Sequence, residues 1–149
     1  GVGYSVAALE RLKGLAARTF KNGQPLNRDP LFATRLAKVE IDLENMKTTN
    51  LRVIAAVAGG GVPGAESSML KIKGTEIRQE IYSLTRRALG PHALPYVSEA
   101  LDEGHEGTPF GPPEAAFAAA HYFNHRKLSI YGGSNEIQKN IISKMILGL

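Results

Sequence analysis

Asp29-Pro30-Leu31-Phe32-Ala33-Thr34-Arg35-Leu36-Ala37-Lys38-Val39-Glu40-Ile41-Asp42-Leu43-Glu44-Asn45-Met46 opens the most regular stretch of this sequence. An Asp here can accept hydrogen bonds from helix amides that have no internal carbonyl, and Pro fits the first helical position because its φ is already helical. From there Phe32, Leu36, Val39, Leu43 and Met46 step by four and three, which draws one apolar stripe along a helix. Charged Arg35, Lys38, Asp42 and Glu44 lie largely off that stripe. The pattern predicts a helix from Pro30 to Ala58, ended by Gly59-Gly60-Gly61-Val62-Pro63-Gly64.

Helical periodicity continues on both sides. Tyr4 to Phe20 carries Val6, Leu9, Leu12 and Ala16 and breaks at Asn22-Gly23. A third helix is predicted over about Ala65 to Leu89, with Leu70, Ile77, Ile81, Leu84 and Ala88 on one face and Gly90-Pro91 as its stop. Pro95 to Pro113 is the least regular stretch: Glu99, Asp102, Glu103 and Glu106 occur there with no Lys or Arg. It reads as an exposed loop with one short helical turn at Val97 to Leu101. A fourth helix is predicted from near Pro113 and Glu114, carrying Phe117, Ala120, Phe123 and Leu128. A fifth follows Gly132-Gly133, capped by Ser134 or Asn135, with Ile137, Ile141 and Met145 facing inward. No alternating segment bounded by hairpin residues stands out, so no strand pair is expected. The fold class that follows is all-α, an antiparallel bundle of about four to five helices.

Composition narrows the chemistry. The 149 residues suit one domain, and the absence of Cys excludes disulfides, thiolate metal sites and Cys nucleophiles. The net charge of +4 is mild, and bases are scattered, with Arg86-Arg87 and Arg126-Lys127 as the tightest pairs. Nucleic-acid binders concentrate bases into a stripe, so no nucleic-acid partner is expected. The weakly polar stretches Val53–Ala65 and Ala115–Phe123 are shorter than the ~18–20 apolar residues that span a bilayer. With no secretory pattern at its start either, the chain is expected to be soluble, intracellular and cytoplasmic. It begins Gly1-Val2-Gly3 without an initiator Met, so either something was removed or the chain is a piece of a longer protein.

Few segments carry chemistry. In Ile130-Tyr131-Gly132-Gly133-Ser134-Asn135-Glu136-Ile137-Gln138, two glycines allow close backbone approach and Ser134 opens a helix with free first amides. Such a start can receive a phosphate or diphosphate. It also reads as a plain Gly-Gly turn with a Ser cap, and on the residues alone the plain turn is favoured. His121 and His125 stand i, i+4, a metal-ligand spacing without a third ligand close by, so surface or packed histidines are the simpler reading. Glu40, Asp42 and Glu44 do not converge, and Glu10 beside Arg11 and Lys13 reads as exposed rather than as a general base. No Gly-x-Ser-x-Gly elbow is present.

Taken as a whole, Ile130 to Ile142 with the ending Leu147-Gly148-Leu149 resembles the end of the acyl-CoA dehydrogenases. The resemblance extends through Ser67-Ser68-Met69-Leu70-Lys71, Leu89-Gly90-Pro91, Arg18-Thr19-Phe20 and Gly23-Gln24-Pro25-Leu26, in family order over nearly the whole chain. It implies a FAD-dependent enzyme that introduces an α,β double bond into an acyl thioester of coenzyme A and passes electrons to an electron-transfer flavoprotein. This chain is then the C-terminal helical domain of a three-domain protein, making homo- or hetero-oligomer contacts and completing a flavin site partly across subunits. By the same resemblance Arg18, Gly90, Ser134, Asn135 and Glu136 are cofactor-binding, and Gly133 lies close to the acyl-CoA substrate. Pro91 and Pro30 stand where the family often has a Gly and a flavin-contacting Gln. Gly132 occupies the usual position of the catalytic Glu, and glycine cannot take a proton. The resemblance therefore implies no catalytic base in this chain, the alternative position falling about two helical turns before Gly1. A second reading is a non-catalytic structural subunit of a mixed oligomer.

Overall fold

The computed structural model describes residues 1–107 and 110–149, so the predicted loop over 95–113 is covered except for Thr108 and Pro109, which lie outside the described residues. The helices are α1 (Val2–Arg18), α2 (Pro30–Ala58), α3 (Glu66–Leu89), α4 (Ala115–Asn124) and α5 (Asn135–Leu147). Short 3-10 segments lie at Leu26–Arg28, Gly90–Ala93, Ser98–Leu101 and His125–Ser129. The third of these is the short turn expected inside the irregular loop.

Local chemistry starts α2 as the sequence implies. Asp29 Oδ2 accepts the Phe32 amide at 3.0 Å, and Pro30 occupies the first turn. Lys21 Nζ lies 2.9 Å from Asp29 Oδ1. That ammonium first, and the Phe32 amide second, hold the Asp29 carboxyl below its ordinary pKa. The buried residues of α2 are Phe32, Leu36, Val39, Leu43 and Met46, the whole predicted stripe. Beyond Met46 the helix buries nothing, and Leu51, Ile54 and Val57 are exposed.

α3 is the central helix. Ile77, Ile81 and Leu84 sit in the core with Leu12 of α1 and Leu43 of α2, all five at most 2% exposed. Side-chain pairs fix the registers: Lys13 Nζ to Glu40 Oε1 at 2.8 Å, Arg35 Nε to Glu80 Oε1 at 2.9 Å, and Gln79 Nε2 to the His125 carbonyl at 3.1 Å. From α1 to α4, neighbours in sequence run antiparallel, as in an up-down bundle.

Four expectations need correction. A short strand pair is present after all: β1 (Phe20–Lys21) pairs antiparallel with β2 (Gln24–Pro25). Asn22 and Gly23 between them have φ 53 and 76, the two left-handed residues of a tight hairpin turn, and Asn-Gly is the sequence signal for it. Consequently α1 stops at Arg18 and Phe20 belongs to the hairpin, 65% exposed. The third correction concerns α5. Ile137, Ile141 and Met145 do not face inward; they are 51%, 37% and 57% exposed, and α5 has no buried residue. Its stripe is real, but nothing among the described residues covers it. α4 carries Phe117, Ala120 and Phe123 as expected and ends at Asn124, so Leu128 falls in the following 3-10 segment. Its buried residues are Ala115, Ala118 and Ala119, small enough for close approach to the bundle.

Candidate functional site

The start of α5 is built by its own sequence. Gly132 and Gly133 both take left-handed backbone, φ 69 and 79, which a side chain would strain. The chain thereby turns sharply into Ser134, whose Oγ accepts the Ile137 amide at 3.4 Å. Gln138 Nε2 donates to the Gly132 carbonyl at 3.3 Å and steadies the turn from the helix side. A Cβ at Gly133 would fall 2.6 Å from that same Nε2, whereas a Cβ at Gly132 would meet open space. The result is an exposed helix N-terminus, with the positive end of the helix dipole turned to solvent.

Its polar groups are organised. The Glu136 carboxyl is held below its ordinary pKa, first by its own amide and then by the Ser134 hydroxyl, with weaker help from Lys139 and Lys71. Lys71 Nζ on α3 donates to Asn135 Oδ1 at 2.9 Å. Sequence reasoning did not single out Lys71 as a partner of this helix start, because 64 residues separate it from Asn135 and no local pattern announces the contact.

Gly132 also faces the beginning of the chain. A cavity of about 280 Å³ is lined by Gly1, Lys71, Gly74, Arg78, Tyr131 and Gly132, among others. Arg78 Nη2 donates to the Gly1 carbonyl at 3.1 Å, holding the first turn of α1 against α3.

Arg18 and Gly90 are at the other end of the bundle. Arg18 closes α1 and its exposed guanidinium pairs with Glu114 at the head of α4. Gly90 ends α3 with φ 57 and ψ −132, and Pro91 follows in a 3-10 turn. Lys71 marks one end of α3 and Leu89 the other, so at ~1.5 Å per residue roughly 27 Å separates the two groups. The structure thus brings Gly132, Gly133, Ser134, Asn135 and Glu136 together, and sets Arg18 and Gly90 apart from them. Pro30 stands in the first turn of α2, where its missing amide costs nothing.

Of the two histidines His125 is buried, whereas His121 is exposed and stacks on the Tyr82 ring at 5.4 Å. His125 is 7% exposed, its Nδ1 2.7 Å from the His121 carbonyl and its ring 3.9 Å from the Tyr82 ring. Burial pushes the pKa of both His121 and His125 down. No group of metal-ligating side chains converges among the described residues. Glu10 is exposed and pairs with Lys13 at 3.3 Å, as expected for a solvated face.

A dinucleotide cofactor needs donors for its diphosphate and hydroxyl partners for its polyol. The helix start at Ser134 and the guanidinium of Arg18 are donor groups of the first kind. Glu136, ionised, suits a hydroxyl rather than a phosphate. The donor set fits, in two halves that one copy keeps at opposite ends.

Comparison with known proteins follows the same lines. Residues 1–147 match the family model described as acyl-CoA dehydrogenase, C-terminal domain. Among solved structures, the ChsE4-ChsE5 complex from Mycobacterium tuberculosis is 26% identical, with a TM-score of 0.74, over 100% of this chain and 36% of that one. The FAD complex of PigA is 20% identical with a TM-score of 0.77, over 99% and 34%. Butyryl-CoA dehydrogenase from Megasphaera elsdenii is 16% identical with a TM-score of 0.72, over 98% and 33%. This chain therefore spans about a third of the length of each of these three structures. A search of the curated proteins found no match. No helix among the described residues is long and apolar enough to cross a membrane.

Proposed function

This chain belongs to the acyl-CoA dehydrogenase family as its C-terminal domain, and from that premise we propose that it supplies flavin-contacting and subunit-contacting surface to an FAD-dependent enzyme that dehydrogenates an acyl-CoA thioester at its α,β bond. The observation that carries this reading is the start of α5: two left-handed glycines followed by a Ser-capped helix whose N-terminal end is not covered by another element among the described residues. Ser134 and Asn135 would hold the cofactor through that helix start, Glu136 would take a hydroxyl, and Arg18 and Gly90 would serve the cofactor of a neighbouring subunit. FAD, when bound, accepts the two electrons of the oxidation. Electrons would pass on to an electron-transfer flavoprotein.

Gly132 offers no group that can take a proton, so the base must come from elsewhere. Gly1 and Gly132 line one cavity, which supports a base supplied from the N-terminal side of α1. A carboxylate about two helical turns before Gly1, on a continuation of α1, is the candidate for that base. Gly133, at the same turn, would lie close to the thioester.

A second reading, the non-catalytic subunit of a mixed oligomer, draws on the same missing carboxylate and on the likeness to a complex of two named components. The residue two turns upstream separates the two: Glu supports the enzyme, a side chain without a carboxyl the structural subunit. For the flavin contacts, Ser134→Ala and Arg18→Gln in the intact protein should each weaken flavin retention about tenfold, equivalent to ~1.4 kcal/mol. Flavin content unchanged after gel filtration would remove the residue concerned from the site.

A further inference from the structure

Charge is sorted unevenly over this chain. Between Ile81 and Leu89 on α3, and from Ala115 through Asn135, there is no Asp or Glu. Arg86, Arg87, Arg126 and Lys127 all fall within those segments, and none of them makes an ion pair among the described residues. The fold brings the two segments face to face. The guanidiniums of Arg86 and Arg126 lie 4.8 and 4.9 Å from the centre of the Tyr122 ring, and Arg126 Nη2 reaches the Gln79 carbonyl at 3.4 Å. Stacking on a ring occupies the face of a guanidinium and leaves its edge donors for a planar carboxylate.

The opposite sign gathers on the loop before α4. Glu99, Asp102, Glu103 and Glu106 are exposed, and none has a basic partner within ion-pair distance among the described residues. The same molecule thus presents an acid-free basic face and a Lys- and Arg-free acidic loop, neither neutralised by an ion pair among the described residues.

We infer that these two surfaces meet between copies: the Arg86–Tyr122–Arg126 face of one protomer docks the Glu99–Glu106 loop of its partner, and the exchange is reciprocal. A single two-fold interface satisfies both patches at once, because each copy brings one of each. Opposed patches of this kind set partner choice and register more than raw affinity. A nucleic acid is the poorer occupant, since the Tyr122 ring is already taken by two guanidiniums and offers no free stacking platform. The inference rests on the oligomer reading above and names the groups that would specify it.

Charge swapping tests it in the intact protein. Arg86→Glu with Arg126→Glu should lower self-association at least tenfold in sedimentation velocity, and Glu99→Lys with Glu103→Lys should do the same. Mixing the two variants should restore association, because each then meets its complement, whether or not either variant is slightly less stable. Unfolding midpoints of both variants, followed by circular dichroism, separate lost docking from lost folding. Association unchanged by either pair, or no recovery on mixing two folded variants, would overturn this interface while leaving the oligomer intact. A wild-type protein that stays monomeric would overturn the oligomer reading and the interface together.

Discussion

Tyr82 is 9% exposed between α1 and α4, with its hydroxyl 3.1 Å from that of Tyr4 and its ring against His125. Burial first, and the Tyr4 hydroxyl second, raise its pKa from the usual 10.0 to about 12. A phenol whose folded pKa is raised contributes stability that is complete below its unfolded pKa and disappears as pH climbs through the folded one. Stability should therefore decline between about pH 10 and 12, measured by urea unfolding, and Tyr82→Phe should flatten that decline. The substitution should cost ~0.5–1.5 kcal/mol at neutral pH through the lost hydroxyl pair. His121 and His125 act at the other end of the scale. Their folded pKa values are lowered, so their contribution is present above the unfolded value of about 6.5 and fades as pH falls below it. A midpoint that does not drop between about pH 6.5 and 5 would contradict the packed state of these rings. At this scale the sequence was readable where partners are close along the chain. Asp29 capping Phe32 and Ser134 capping Ile137 are three-residue events. The Tyr4–Tyr82 and Lys71–Asn135 contacts span 78 and 64 residues and follow only from the fold.

Among elements, α3 and α5 stand at opposite extremes. α3 packs against every other long helix and holds Leu84 at 0% exposure, whereas α5 buries nothing. Leu84→Ala should cost ~2–5 kcal/mol, read from the shift in denaturation midpoint, because a sealed site cannot collapse around the gap. In hydrogen exchange, α5 amides of this chain should exchange about a hundredfold or more faster than those of α3, since opening α5 exposes little that was buried. Equal protection would mean that some unforeseen contact clamps α5. The stripes on α1, α2 and α3 were legible because a helix surrounded by its own chain buries its apolar face there. The stripe on α5 carries the same period, but a period states only that a face is apolar. It does not state which molecule lies against it. The hairpin was missed for a different reason: its strands have two residues each, too short to alternate, so only Asn22-Gly23 announced it.

For the whole molecule, apolar side chains are exposed on the far part of α2 (Leu51, Ile54, Val57) and along α5 (Ile137, Ile141, Met145), a pattern that marks contact surface. The isolated chain should self-associate, and a monodisperse monomer in sedimentation equilibrium at high concentration would contradict this. Fold and family were both legible, one from periodicity and the other chiefly from Ile130 to Ile142 with the ending Leu147-Gly148-Leu149. The division of the proposed flavin contacts was not, because which end of a bundle a residue occupies depends on the direction of every helix before it. That division has a genetic meaning. With Arg18 and Ser134 at opposite ends of the bundle, each proposed site would draw one from each of two copies. Two defective alleles, one altered at Arg18 and one at Ser134, would then complement when co-expressed, since a mixed pair can assemble one site with both residues intact. Two alleles altered at Ser134 and Glu136 would not, because every site would inherit a lesion from the same helix start.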